Sequence, residues 1–330
     1  MKYSIIGAGS WGVTLAQVLT DNGHEPLLYD IDESLVTQIN QGYHPLLKVA
    51  VTNLLATTNL SEILEYSDYL IISIPTAFIR EFMIKINQKL KHKYYFINVS
   101  KGIEPDSLKR VSEIIKEEID QKYYGNFCLL AGPSHAEELI LRQLTLLTAA
   151  SEDLEFAKKI QRDFNNDIYL RVYTTPDLIG AEIGGSVKNA IAVASGVSTG
   201  LGFGENARAA LITKGIHEII QIVEFMGGKR ETAWGLTGIG DLIVTASSEH
   251  SRNFLAGKKI GKGQDAQSVL SESKMTVEGI RAIIAMNNLA NKYNLDLPII
   301  QTSYLVIQGK ISVSDAIAKL LSRELKSEKI

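Results

Sequence analysis

A single cysteine, Cys128, is the whole thiol content of the 330 residues, so no internal disulfide can form. It lies inside the apolar run Phe127-Cys128-Leu129-Leu130-Ala131, which reads as a buried strand, and a reducing cytoplasm is the expected compartment. No apolar stretch approaches the roughly 18 residues that a spanning helix needs, and the first residues lead straight into a strand-like run without the apolar region of an export signal. Neither export nor membrane insertion is expected. Charge of one sign is lacking as well, since 34 Lys and Arg face 37 Asp and Glu for a net charge of -3. The electrostatic footprint of a nucleic-acid binder is therefore missing, and any anion must be held by individually placed residues. The histidines, at positions 24, 44, 92, 135, 217 and 250, never approach metal-ligand spacing, so no zinc or other metal site is expected. No P-loop pattern occurs, and no Tyr has a Lys four residues later, which removes a Tyr/Lys dehydrogenase pair.

What is present is an ordinary globular composition, 45% hydrophobic and 22% charged, in a chain long enough for two cores. Up to about residue 175, short runs rich in Ile, Leu, Val, Tyr and Phe (3–6, 27–29, 69–74, 95–99, 127–131, 144–149 and 168–173) alternate with amphipathic segments. That alternation predicts βαβ units and a doubly wound, mainly parallel sheet. Beyond Thr174-Thr175-Pro176-Asp177 long helical patterns take over, at 186–197, 207–226, 277–293 and 314–326. The expected division is an α/β Rossmann-type dinucleotide-binding domain over 1–176 and an all-helical substrate and catalytic domain over 177–330, with a packed boundary.

Gly7-Ala8-Gly9-Ser10-Trp11-Gly12 is a complete G-x-G-x-x-G between a strand and a helical run. The first glycine permits the turn, the second lets backbone approach a pyrophosphate, and the third lets helix and strand pack, with the helix N-terminus facing the phosphates. Asp30 follows the second strand about 20 residues on, where a carboxylate accepts ribose hydroxyls of NAD and repels the 2′-phosphate of NADP; an acid in a surface turn is the plainer reading.

Gly184-Gly185-Ser186-Val187-Lys188-Asn189 reads as the opening of a helix on which Lys188 is the sole cation among small and apolar neighbours. Partial desolvation lowers the pKa of such a lysine toward the range useful for moving a hydroxyl proton, although a lysine snorkelling to the surface fits the same pattern. The glycine-rich segment 235–240 ends in Asp241, suited to capping the next helix, to holding a lysine ammonium, or to both. Ser251-Arg252-Asn253 offers a hydroxyl, a guanidinium and an amide in succession, either a donor set for a phosphate dianion or an exposed loop. Lys101, in Asn98-Val99-Ser100-Lys101-Gly102, and Ser134, in Ala131-Gly132-Pro133-Ser134-His135-Ala136, both follow carboxyl ends of strands, where open α/β sheets bind ligands.

Taken together these motifs resemble the bacterial-type NAD(P)-dependent glycerol-3-phosphate dehydrogenases. The resemblance runs over essentially the whole chain, through 7–12, 100–102, 131–136, 173–189, 200–215, 238–241, Ser251-Arg252-Asn253 and Val277-Glu278-Gly279. It implies a C-terminal domain of 6-phosphogluconate dehydrogenase-like build and interconversion of sn-glycerol 3-phosphate and dihydroxyacetone phosphate, feeding glycerophospholipid synthesis, in a homodimer. By motif, Lys188 is implied as proton acceptor, and Lys101, Gly132, Ser134, Asp241, Ser251, Arg252 and Asn253 as the substrate shell. The cofactor contacts implied are Ser10, Trp11, Lys101, Ala136, Arg252, Val277 and Glu278, beside Gly7, Gly9, Gly12 and Asp30 of the loop reading. The departures lie in the cofactor half: Asp30-Ile31 replaces a small or basic pair, 43–53 is shortened, and Ile74-Pro75-Thr76 stands where Val-Pro-Ser is usual. NAD(H) is thus expected ahead of NADP(H), which remains possible. A β-hydroxy-acid dehydrogenase of the same build and a catalytically silent NAD(H) sensor are the competing readings; the basic Ser251-Arg252-Asn253 speaks against the first, and Lys188 with Asp241 against the second.

Overall fold

The computed structural model describes residues 1–272, 277–325 and 327, with side chains placed outside 270–272. Ten strands are found among them: β1 (Lys2–Ile6), β2 (Glu25–Tyr29), β3 (Tyr43–His44), β4 (Val49–Ala50), β5 (Leu55–Thr57), β6 (Tyr69–Ile72), β7 (Tyr94–Asn98), β8 (Tyr124–Ala131), β9 (Thr145–Ala150) and β10 (Leu170–Thr175). Eight form one sheet in the order β10-β9-β8-β7-β6-β1-β2-β5, and β3 and β4 form a separate hairpin. Pairing is parallel throughout the sheet except between β8 and β9, so β9 and β10 run against the rest. The seven anticipated strands are all present; β5, three residues long, and the hairpin are too short for any periodicity to show.

Chain order reverses at β1, with β2 and β5 on one side and β6, β7 and β8 on the other. The crevice at the carboxyl ends of β1 and β6 is where such sheets take a ligand. The strands near the centre are buried on both faces, with Ile5, Ile6, Leu70, Ile71 and Ile72 at 0% exposure, which explains their continuous rather than alternating apolar runs.

No strand occurs among the described residues after Thr175, and the remainder is built around one helix, Leu178–Gly200. It starts earlier than the glycine pair suggested. Asp177 caps it by accepting from Gly180 N at 2.9 Å, and Gly184-Gly185 fall inside it. Glycine costs about 1 kcal/mol against alanine in a helix interior, but at Gly184 a Cβ would lie 3.0 Å from the Thr237 carbonyl oxygen, so close packing outweighs propensity. The helix is buried almost all round, as its uniformly apolar and small composition requires. Around it pack Glu205–Phe225, Asp241–Ser247, Arg252–Gly261 and Glu278–Tyr293. The terminal helix Val313–Leu321 is shorter than the 314–326 pattern, whose residue 326 lies outside the described residues.

Candidate active site

The glycine loop has the three environments its motif requires. Gly7 has φ +103°, and a Cβ there would meet the Ser73 carbonyl oxygen at 2.4 Å. At Gly12 a Cβ would meet the Gly7 carbonyl oxygen at 1.9 Å. At Gly9 nothing lies within 4 Å, and Gly9 caps the Ser10–Asp21 helix without a side chain, so that N-terminus with Ser10 and Trp11 stands open to an anion. A dinucleotide pyrophosphate fits this cradle. Ala136, a further candidate for cofactor contact, is buried, its carbonyl 3.4 Å from the Thr14 hydroxyl of that helix.

Asp30 stands at the end of β2 and ties the loop to it, Oδ2 accepting from Ala8 N at 2.8 Å and Oδ1 from Asp32 N at 3.1 Å. Each oxygen keeps a lone pair for a hydroxyl. Ile31 beside it is 82% exposed, and Asp32 and Glu33 follow, so the turn is acidic.

Four segments converge past the carboxyl ends of β7 and β8. Lys188 is buried, and its Nζ donates to Asp241 Oδ1 at 2.8 Å and to Thr245 Oγ1 at 2.6 Å. The other Asp241 oxygen accepts from Lys101 Nζ at 2.7 Å, and Lys101 donates also to the Gly132 carbonyl at 3.1 Å. One carboxylate thus bridges two ammonium groups from opposite halves of the chain. Asp241 opens the Asp241–Ser247 helix but does not cap it; of the two roles its sequence allowed, it takes the lysine-holding one. Burial pulls the Lys188 ammonium down to about 8, Asp241 resisting and Lys101 assisting. Burial pushes the Asp241 carboxyl up, but the two ammoniums outweigh it and hold it below its ordinary value. Ser134, two residues past Gly132, donates to the Gly132 carbonyl at 3.0 Å.

The Ser251-Arg252-Asn253 tripeptide divides its labour. Ser251 is the N-cap of Arg252–Gly261, its hydroxyl accepting from Phe254 N at 3.2 Å. Asn253 is engaged on both sides, donating to Asn189 Oδ1 at 2.9 Å and accepting from Gly279 N at 2.9 Å. Arg252, exposed on the first turn of the helix, is the one of the three whose side chain reaches outward. Val277 caps the Glu278–Tyr293 helix, and Glu278 accepts from Thr76 N at 3.1 Å across the two halves. Burial raises the Glu278 carboxyl, with Arg281 and Arg252 opposing. The buried Thr76 hydroxyl has no hydrogen-bond partner among the described residues and packs against Gly102, where a Cβ would stand 2.4 Å from it.

Thr245 was not anticipated, whereas Asn189 reads from the sequence as the polar neighbour of Lys188. Thr245 lies one helical turn after Asp241, so the i, i+4 spacing was the available signal; Asn189 was visible beside Lys188, but its partner 64 residues away was not. Among the described residues no group of His, Cys, Asp and Glu could hold a metal, and no helix is long and apolar enough to cross a membrane.

A dinucleotide cradle on a doubly wound sheet, facing a buried lysine on a helical half, defines a two-domain nicotinamide-dependent dehydrogenase. The family models for the N-terminus and C-terminus of NAD-dependent glycerol-3-phosphate dehydrogenase match residues 2–157 and 177–318, and the chain belongs to that family. It is 57% identical over 330 residues, 100% of both chains, to glycerol-3-phosphate dehydrogenase (NAD(P)+) of Acholeplasma laidlawii. It is 44% identical to the protein of the same name from Staphylococcus aureus, with 99% of each chain covered. The crystal structure of glycerol-3-phosphate dehydrogenase from Coxiella burnetii superposes with a TM-score of 0.91 at 30% identity, covering 98% of this chain and 99% of that one. A ketopantoate reductase from Ralstonia eutropha shares the fold alone, at a TM-score of 0.60 and 14% identity over 94% of this chain and 98% of that one.

Proposed function

We propose that this protein interconverts sn-glycerol 3-phosphate and dihydroxyacetone phosphate, with NAD(H) preferred over NADP(H), and so supplies glycerophospholipid synthesis. The observation that carries the reading is the buried Lys188 ammonium, 2.8 Å from a carboxylate that also holds Lys101. The Gly7–Gly12 cradle would hold the pyrophosphate of NAD(H), which when bound would supply or accept the hydride. Lys188 Nζ gives its proton to the developing alkoxide in ketone reduction and takes the hydroxyl proton back in alcohol oxidation, and a pKa near 8 suits both directions. Asp241 and Thr245 fix where that proton points. Lys101, Gly132, Ser134 and Arg252 surround the substrate, with Arg252 meeting the phosphate, while Ser251 and Asn253 hold the Arg252 turn in place. Gly7, Gly9, Ser10, Trp11, Gly12, Asp30, Ala136, Val277 and Glu278 take the cofactor. We assign residues 1–176 to the cofactor domain and 177–330 to the catalytic one, in a cytoplasmic homodimer.

Asp30 carries the cofactor preference. A 2′-phosphate would stand within a few ångströms of its carboxylate, a repulsion of about 1 to 3 kcal/mol in a partly desolvated cleft, or roughly 10- to 100-fold in kcat/KM. Turnover of dihydroxyacetone phosphate with NADH and NADPH side by side tests both statements. No turnover with either overturns the activity; equal or better kcat/KM with NADPH overturns the preference alone, and Asp30→Ala narrows the gap if the preference stands.

A further inference from the structure

Glu182 is buried at 5% exposure on the same helix as Lys188, six residues before it, and touches none of the groups assigned above to substrate or cofactor. Its carboxylate accepts from Arg110 Nη1 at 2.8 Å, from Ser112 N at 2.9 Å and from Ser112 Oγ at 2.6 Å. Three donors from another part of the chain converge on one acid, at the N-terminus of the Val111–Glu118 helix. Arg110 is also the far end of a closed loop. Ile103 and Arg110 form an antiparallel bridge, and Glu104 N donates to the Lys109 carbonyl at 3.0 Å. Lys101 stands two residues before that bridge. Ile103, at 3% exposure, is buried in the core of the helical half, although the loop belongs in sequence to the sheet half. From outside, Arg80 grips Glu104 with two hydrogen bonds at 2.8 and 2.7 Å. Lys101 and Glu182 both line one small cavity of about 10 Å³, at the lower limit for one water.

We propose that residues 101–110 form a strap across the two halves, and that Glu182, through Arg110 and Ser112, is the positioning residue that holds Lys101 at the substrate. The proposal rests on the role given to Lys101 above. Glu182 does no chemistry itself; it fixes the register between the helix that carries Lys188 and the loop that carries Lys101. Its carboxylate is held by Arg110, the last residue of the strap, and by Ser112 in the helix that follows it, so loss of its charge loosens the C-terminal anchor of that loop and leaves the glycine cradle untouched.

The test is Glu182→Gln, which keeps the size and removes the charge. Amide exchange across 101–110 should quicken at least about tenfold, with the Glu205–Phe225 helix unchanged. KM for dihydroxyacetone phosphate should rise about tenfold while kcat and the Kd for NADH move less than about twofold. In a Lys101→Ala background the same substitution should change KM by less than about twofold, because the group it positions is gone. An unchanged KM with a lowered Tm, or an undiminished effect in the Lys101→Ala background, overturns the proposal. Should Glu182→Gln fail to fold, Ser112→Ala removes one of the three bonds and is judged by the same criteria at about a threefold rise in KM. A wild-type protein that does not turn over dihydroxyacetone phosphate defeats the functional reading, whereas the exchange comparison still decides whether Glu182 anchors the strap.

Discussion

Lys188 sits where its charge is least welcome and is retained by one carboxylate, a balance that leaves its pKa near 8 rather than above 10. The sign of the resulting pH dependence follows from which form acts. Alcohol oxidation needs the free amine, so its kcat/KM should climb about tenfold per pH unit up to about 8 and then level; ketone reduction needs the ammonium and should fall above the same point. A break that stays above pH 10 in both directions would remove Lys188 as the proton carrier. Lys188→Ala should lower kcat by about 10²-fold or more while NADH still binds, measured by single-turnover kinetics and titration. Arg252 is tested by substrate comparison. Arg252→Ala should cost about 2 to 4 kcal/mol in kcat/KM for dihydroxyacetone phosphate and far less for dihydroxyacetone, and an equal loss on both would mean that it does not hold the phosphate.

At the scale of elements, a helix crossing places the turn that carries Arg252. Arg252–Gly261 lies backbone to backbone on the second half of Leu178–Gly200, because glycines occupy both sides. A Cβ on Gly257 would stand 2.0 Å from the Val193 carbonyl oxygen, and one on Gly196 would stand 2.0 Å from that of Phe254. Gly257→Ala must force the helices apart and carry the Arg252 turn away from Lys188. The expected loss is about 1 to 3 kcal/mol of stability in urea unfolding, together with a raised KM for dihydroxyacetone phosphate. A variant as stable and as active as the wild type would show that the crossing can yield. Element existence was legible in the sequence where patterns were long, as in Glu205–Phe225 and Glu278–Tyr293. The start of Leu178–Gly200 was not, because glycines inside a helix look like an opening until the Thr237 backbone they pack against is known. The antiparallel turn between β8 and β9 was equally hidden, since a strand's residues do not record its direction.

Over the whole molecule, what the sequence concealed was long-range pairing. Lys101, Asp241 and Lys188 each announced themselves by residue type and neighbours, yet the partnership of Lys101 with an acid 140 residues away has no local signature. The same holds for Thr76 with Glu278, 202 residues apart, and for Ser112 with Glu182. These pairs all cross between the sheet half and the helical half, and Ile103 of one is buried in the core of the other. Separating the halves would take Lys101 from Asp241, Arg110 and Ser112 from Glu182 and Thr76 from Glu278, and would expose Ile103. Losing these hydrogen bonds and the Ile103 contact costs several kcal/mol in sum, comparable with the whole stability of a domain. The two halves should thus unfold together. Calorimetry on the intact chain should show one transition with equal calorimetric and van't Hoff enthalpies, and NADH at a hundredfold its Kd should shift it as a unit by about 2.7 kcal/mol. Two resolved transitions, with NADH moving only one, would show that the crossing pairs do not couple the halves.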